Sequence, residues 1–600
     1  MVFTVTARAM PTSQGMSEFQ RQLAAAQPKA AKSKKRTWLY LAYDQLTDRT
    51  GPLAALAPSD AGIVLIECAA KAQRRPYHKQ KLAWLLSNQR HFALEQAQRG
   101  VAVRYEFAAI DYATTLTQLV GELGPLTMME AAERELRHEL APLADAGQLR
   151  VVPHTGWLTT AAEFQSFCGT APWRMDAFYR GARRARDILM EGTGPVGGKF
   201  SFDAENRQPY RGKPAAPQPL RFVADAITNE VCSMVAATFA DHPGELRPDT
   251  IAATDRDARA AWRWALTEAL PHFGPFEDAM STQSSTLFHT LISPLLNLHR
   301  LLPAEVINDA IMAPIDMASK EGFIRQILGW REFVRHVHVQ TDGFRNLEGG
   351  LVNAPSKPAV KAKPATKAAP AKKNSSKADG RANDLSGDAG YGRYVGAARP
   401  PLPADLRGVA PAPAAVANYD VPAVFWGAKS GLNCLDSVVA DVWRTGYSHH
   451  ITRLMVLGNI ATLLDVSPRQ LTDWFWIAYI DAYDWVVEPN VLGMATFGLG
   501  DLMTTKPYVA GSAYIDRMSD YCKGCQFAAK TTCPLTPMYW AYLDRHSAQL
   551  ADNPRMFLPM ASLRKRTPAQ RASAAATFDH VTHTLQRGEK LGVPTDPKRK

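Results

Sequence analysis

The stretch MSDYCKGCQFAAKTTCPLTPMYW, residues 518–540, decides how this chain is read. Cys522, Cys525 and Cys533 form a C-x2-C-x7-C array closed by Pro534, and Cys434 stands far upstream, beyond two helical segments. Thiolates at this spacing bind zinc or an iron–sulfur cluster. Zinc sites generally use two close C-x2-C pairs, whereas here one ligand is isolated and the last precedes proline, so the spacing favours a [4Fe-4S] cluster. Such a site ties distant parts of one fold together.

The remaining cysteines, Cys68, Cys168 and Cys232, sit singly among apolar neighbours and read as inert buried thiols. Seven cysteines in 600 residues exclude a disulfide framework and point to a reducing compartment. A content of 46% hydrophobic and 21% charged residues describes a globular chain with core enough for two or more domains. No apolar run reaches the roughly 18 residues of a membrane span. The net charge of +12 and pI near 9.2 favour an anionic partner, nucleic acid before a membrane surface, although part of that charge belongs to tail and linker.

Residues 1–36 carry seven Lys or Arg against the single acid Glu18 and predict a disordered basic arm. From Thr37 to residue 152, short β-rich runs (Trp38–Leu41, Gly62–Ile66, Val101–Tyr105, Leu126–Met128, Leu149–Val152) alternate with helical ones, which predicts a parallel α/β domain. His78 to Gln98 reads as a long amphipathic helix ending at Gly100. No G-x-G-x-x-G follows the first strand, so a dinucleotide fingerprint is absent; Asp44 and Glu67 follow their strands, where open α/β sheets bind ligands. Residues 153–221 read as an irregular connector. A mostly helical region occupies 222–345 and 413–600. Between them, in the insertion 346–412, eight basic residues and one acid fall from Lys357 to Arg381 among Ala-Pro-Lys repeats, a composition that predicts disorder.

Ser467-Pro468-Arg469-Gln470 and Thr567-Pro568-Ala569-Gln570 both read as capping boxes with Pro at the first helical position. Tyr447-Ser448-His449-His450-Ile451-Thr452-Arg453 reads as helical, placing both histidines within a turn of Arg453, with Asp481 as counter-charge. A histidine beside charged groups supplies a tuned proton donor. Two structural histidines would leave the same trace.

Taken together, YSHHITRLMVLGN (447–459), the cysteine array, YDQL (43–46), HKQKLAWLLSNQRHF (78–92), FDAENRQP (202–209) and EGFIRQILGWREF (321–333) closely resemble the iron–sulfur bacterial cryptochromes and photolyases, the deoxyribodipyrimidine photolyase-related family. The resemblance covers nearly everything except residues 1–36 and the basic insertion. It implies an N-terminal parallel α/β, Rossmann-like antenna domain and a C-terminal all-α domain holding FAD and a [4Fe-4S] cluster. Cys434, Cys522, Cys525 and Cys533 would be the cluster ligands. The loop between Cys525 and Cys533 is shorter than usual in the family. For FAD it implies Thr290, Leu291 and Ser293 of a segment similar to T-S-x-L-S-P, Gln326, Trp330 and Arg331 of a pocket helix, the Arg453–Asp481 pair, and Asn459 and Tyr483. His450 matches the acid that protonates the lesion in (6-4) photolyases and His449 its neighbour, while Trp474 and Trp426 match aromatic electron carriers. Asp44 and Glu67 match contacts of a 6,7-dimethyl-8-ribityllumazine antenna. Two departures stand out. Phe475 replaces the tyrosine common after the first tryptophan, which implies slower photoreduction or a path through Trp476. Val487 stands where the family places an acid facing the flavin, unless Glu488 slips into its place.

Two functions follow from the resemblance: light-driven repair of (6-4) photoproducts in UV-damaged DNA, and blue-light reception with the same cofactors and no repair. The intact histidine pair favours repair; Phe475 and Val487 allow specialisation. A third possibility, an iron–sulfur DNA-binding module without flavin, conflicts with the flavin-segment matches. The expected protein is a cytoplasmic bacterial monomer.

Overall fold

The computed structural model describes residues 16–28, 36–345 and 419–593. All five expected strands form one parallel sheet: β1 (Thr37–Tyr40), β2 (Ala61–Cys68), β3 (Ala102–Ala108), β4 (Leu126–Met129) and β5 (Leu149–Val152), in the order β3-β2-β1-β4-β5. Thr37 pairs with Ala61 and Tyr40 with Val64, while Leu39 meets Thr127 on the other side. Every residue of β2 is buried, as a strand covered on both faces requires. The strand order reverses at β1, so the crevice beyond its carboxyl end opens next to Asp44.

The helix Lys79–Gln98 starts as expected, with Nδ1 of His78 accepting from the Gln80 amide at 3.0 Å, and ends before Gly100 at φ +94°. It is not amphipathic in place. Gln80, Lys81, Ser87, Asn88, Gln89, Arg90, His91 and Gln96 are buried along with its apolar residues, because the helical domain covers the side away from the sheet. Each charge there has a partner: Arg90 holds Glu67 and Glu230, His91 meets Asp225 at 2.6 Å, and Lys81 donates to the carbonyls of Trp476 and Ala482 at 2.8 and 2.6 Å. This helix is the seam between the two domains.

Three expectations are corrected. The N-terminal arm is not disordered throughout, since Glu18–Ala26 is a helix with a complete Ser17/Gln20 capping box. Phe19 and Leu23 lie on one face and are buried, Phe19 edge-on to Tyr105 at 4.6 Å. Beyond it, the Gln27 amide bonds both the carbonyl and the amide of Val103, blunting the outer edge of β3. The connector is irregular only in part: it contains the helices Ala161–Cys168, capped by Thr160 and Glu163, and Met175–Ala185. Phe164 packs there against Phe333 and His336. Finally, the Ser467 capping box is half made. Ser467 Oγ accepts from the Gln470 amide at 3.5 Å, but the Gln470 side chain turns to Val421 and Asp420. The box at Thr567 is complete. The insertion 346–412 lies outside the described residues.

Elsewhere the second domain is helical, interrupted by π-helical turns at Ala265–Ala269, Arg325–Arg331, Arg453–Gly458 and Glu488–Ala495. Turns of this kind are uncommon and concentrate at functional sites. No helix among the described residues is long and apolar enough to cross a membrane.

Candidate active site

Two of the π-helical turns carry expected site residues: Gln326, Trp330 and Arg331 lie on Arg325–Arg331, and Arg453 heads Arg453–Gly458. Arg453 makes a paired contact with Asp481 at 3.1 and 3.0 Å, its Nε donates to the Ser448 carbonyl at 2.7 Å, and its guanidinium lies 4.1 Å from the Tyr479 ring centre. Ser293 Oγ donates to Asp481 at 2.7 Å, and Asn297 donates to the Asp481 carbonyl at 2.9 Å. The segment reaches this position through Leu291, whose φ of +58° is uncommon outside glycine. Gln326 donates to Glu277 at 2.6 Å. Arg331 sits 4.1 Å from the Trp157 ring centre, and burial pulls its pKa down to about 10. Thr290, Leu291, Ser293, Gln326, Trp330, Arg331 and Arg453 are all partly exposed amid buried neighbours.

Asn459 and Tyr483 do not join them by their polar groups. Asn459 is fully buried and its amide clasps both backbone groups of Ala510, at 2.9 and 3.1 Å. Tyr483 lines a cavity against the α/β domain.

His450 shares a helical turn with Arg453 as expected, but His449 does not. His449 is extended and precedes the helix that His450 begins. Its ring is buried and stacks on His289 at 4.3 Å with planes 11° apart, and burial, reinforced by the neighbouring imidazoles, holds both rings neutral. The His450 side chain is 41% exposed, with Nε2 3.6 Å from Asp278 and its ring 5.3 Å from His289. His289 escaped notice as a site residue although it opens the 289–294 segment.

Trp474 is wholly buried and Trp426 half-buried, with Trp443, which sequence reading passed over, between them. A path through Trp476 is not supported: that ring points towards the α/β domain beneath the Arg75 guanidinium, 3.8 Å away. Nor does Glu488 take the place of Val487. It is held by Arg469 at 2.6 Å, His338 at 2.9 Å and Arg345 at 3.2 Å, and Val487 is itself buried.

Cys434, Cys522, Cys525 and Cys533 line a single small cavity with Leu432, Ile515 and Phe527. Cys434 lies in the first turn of the helix Asn433–Thr445, and Asn433 donates to the Tyr521 carbonyl at 2.8 Å, closing the two segments on each other. Burial, followed by the other three sulfurs, raises the Cys434 thiol far above its usual range. Bound metal would reverse that preference by stabilising thiolates.

Asp44 and Glu67 are not brought together. Glu67 accepts from Arg90 at 2.6 and 3.0 Å and from the Tyr105 hydroxyl at 2.5 Å, and it borders a cavity of about 60 Å³ lined also by Tyr43, Lys71, Lys81, Trp84 and Tyr483. Asp44 lies outside that lining, its carbonyl meeting His299 Nδ1 at 2.7 Å and its carboxyl pushed up to about 7 by burial.

Residues 39–250 match the family described as deoxyribodipyrimidine photo-lyase-related protein. A (6-4) photolyase of Agrobacterium fabrum is 32% identical over 547 residues, which is 86% of this chain and 94% of that protein. Among solved structures, a bacterial class III photolyase from Agrobacterium tumefaciens aligns with a TM-score of 0.48 at 14% identity, over 92% of this chain and 99% of that one. A Synechocystis cryptochrome aligns with a TM-score of 0.48 at 11% identity, over 93% and 100%. With nearly a third of its residues shared along almost the whole length of the Agrobacterium fabrum protein, the chain belongs to the deoxyribodipyrimidine photolyase-related family.

Proposed function

We propose that this protein is a DNA photolyase that repairs (6-4) pyrimidine photoproducts in UV-damaged DNA by light-driven electron transfer from reduced FAD. The observation that carries this reading is the contrast within the histidine pair: His450 reaches solvent beside Asp278, while His449 is locked and neutral behind it.

The donor set fits FAD. Arg453, fixed on Asp481, would offer its guanidinium to the flavin, and the Thr290 hydroxyl suits a diphosphate, whereas the Ser293 hydroxyl already donates to Asp481. Two buried nitrogens there, His289 Nε2 and Arg331 Nε, have no hydrogen-bond partner in the protein. Bound reduced flavin supplies the photoexcited electron. The chain does the rest: it accepts the lesion turned out of the stack, and the exposed His450 imidazole, beside Asp278, delivers the proton that lets oxygen transfer proceed. His449, stacked on His289, backs His450 and keeps its own ring out of the exchange.

Four thiols around one cavity suit a [4Fe-4S] cluster. Among the described residues no group of three or more His, Cys, Asp or Glu is placed to hold a metal ion, so the cluster reading rests on the shared cavity and on the cysteine spacing. Its role here is to pin the 518–540 segment to the helix that leads into the histidines. Of the two expected antenna contacts, Glu67 rather than Asp44 borders the aromatic-walled cavity, which at about 60 Å³ would have to open to admit 6,7-dimethyl-8-ribityllumazine.

Blue-light illumination of the reduced protein with an oligonucleotide bearing one (6-4) photoproduct tests the function, with restored thymines followed by chromatography against a dark control. Light-dependent restoration is expected. None, from protein carrying flavin and cluster, would move the assignment to a blue-light receptor.

A further inference from the structure

Glu67, at the border of the cavity in the α/β domain, is fixed by two side chains that the N-terminal helix Glu18–Ala26 covers. Arg90 donates to its carboxylate at 2.6 and 3.0 Å, and the Tyr105 hydroxyl donates at 2.5 Å. Burial, then the Glu67 charge, raises the Tyr105 phenol well above its usual range, so it stays a donor. Phe19 packs against both partners: its ring meets Tyr105 edge-on at 4.6 Å and lies 5.3 Å from the Arg90 guanidinium. The Phe19 amide donates to one oxygen of Glu230 at 3.3 Å, and the other oxygen accepts from Arg90 at 2.6 Å.

Glu230 belongs to the helix Ala226–Thr238, and Gln27 fastens the far end of the N-terminal helix to Val103 of β3. One short helix is thus tied to both domains over the Arg90–Glu67 pair. Phe19 is 0% exposed and the Arg90 side chain 5%, so water is kept from that pair and its attraction is the stronger. The cavity itself has unused hydrogen-bonding capacity. Trp84 Nε1 and Gln89 Nε2, on buried side chains that line it, have no hydrogen-bond partner among the described residues. Buried donors are seldom left so. Two of them beside a fixed carboxylate match a flat heterocycle that bears carbonyl acceptors together with N–H or hydroxyl donors.

We propose that Phe19 is a positioning residue for this cavity: by covering Arg90 and Tyr105 it fixes the Glu67 carboxylate against a bound antenna of that chemistry. This rests on the antenna reading above. The family match begins at residue 39, so the N-terminal helix lies outside it and adds to the site from this chain's own sequence.

Titration of the full-length, antenna-free protein with 6,7-dimethyl-8-ribityllumazine, followed by lumazine fluorescence, tests this in a cycle of wild type, Phe19→Ala, Glu67→Gln and the double variant. Phe19→Ala is expected to weaken binding about ten-fold when Glu67 is present and to add almost no loss in the Glu67→Gln background. Phe19→Leu, which restores buried apolar volume, should recover most of the affinity. Equal affinity in wild type and Phe19→Ala overturns the proposal, as does the same loss in both backgrounds, which marks a general loosening of the fold. A second arm needs no ligand. Carbodiimide-driven labelling of carboxylates with glycine ethyl ester, read by mass spectrometry, should rise several-fold at Glu67 in Phe19→Ala while the equally buried Glu488 stays unlabelled. Unchanged labelling at Glu67 overturns the positioning role even where lumazine binds. Wild-type protein that takes up no lumazine defeats the antenna reading and leaves the labelling arm to decide whether Phe19 positions Glu67.

Discussion

His449 and His450 are adjacent in sequence and opposite in surroundings: one imidazole is sealed against His289, the other faces solvent beside Asp278. His450→Ala is therefore expected to abolish repair while flavin and cluster spectra persist; retained repair would remove His450 from the chemistry. The Arg453–Asp481 pair is a second residue-scale case. Asp481→Asn leaves a largely buried guanidinium without its counter-charge, at about 3 kcal/mol, and a denaturation midpoint equal to wild type would show that the pair contributes little. This pair was legible because charge type and a shared apolar setting sufficed to match Arg453 with Asp481. His289 and Trp443 were not. Their significance lies in ring contacts with residues distant in sequence, and a lone aromatic in an apolar stretch carries no mark of what it will face.

Among elements, the local signals were read most directly. Thr567 and Gln570 make the expected capping box because both ends of the motif lie within one turn. The same motif at Ser467 is half made, since Gln470 finds better partners in Asp420 and Val421. The helix Glu18–Ala26 shows the converse error, in which basic composition masked an amphipathic turn. Phe19→Ala should cost about 3–5 kcal/mol, read as a lower urea midpoint; a surface residue would give almost no shift. At the cysteine array, Cys525→Ser should eliminate iron and much soluble protein, and a folded variant with full iron content would refute the ligand assignment.

At the scale of the molecule, pH dependence follows from buried histidines. Burial lowers His78 to about 4 and His299 and His336 to about 3, and His154 well below the ordinary value near 6.5. Each binds its proton only on unfolding, so its contribution is complete above pH 6.5 and is lost as pH falls towards its folded-state value. Thermal stability should drop steeply between pH 6.5 and 4, and a flat profile there would contradict the burial of these rings. Basic charge predicts salt-sensitive DNA binding: for roughly six to ten phosphate contacts, raising salt from about 50 to about 200 mM should cost about 10³–10⁵ in affinity. The sequence by itself determined what local physics controls, namely five apolar runs that become strands, and helix starts at Ser467 and Thr567. Only the tertiary structure decided which histidine is exposed, that the helix Lys79–Gln98 is buried on both sides, and that Trp443 bridges Trp474 and Trp426. Hydrogen bonding within a turn depends on residues three or four places away, whereas burial, charge pairing and ring stacking depend on neighbours supplied by distant parts of the chain.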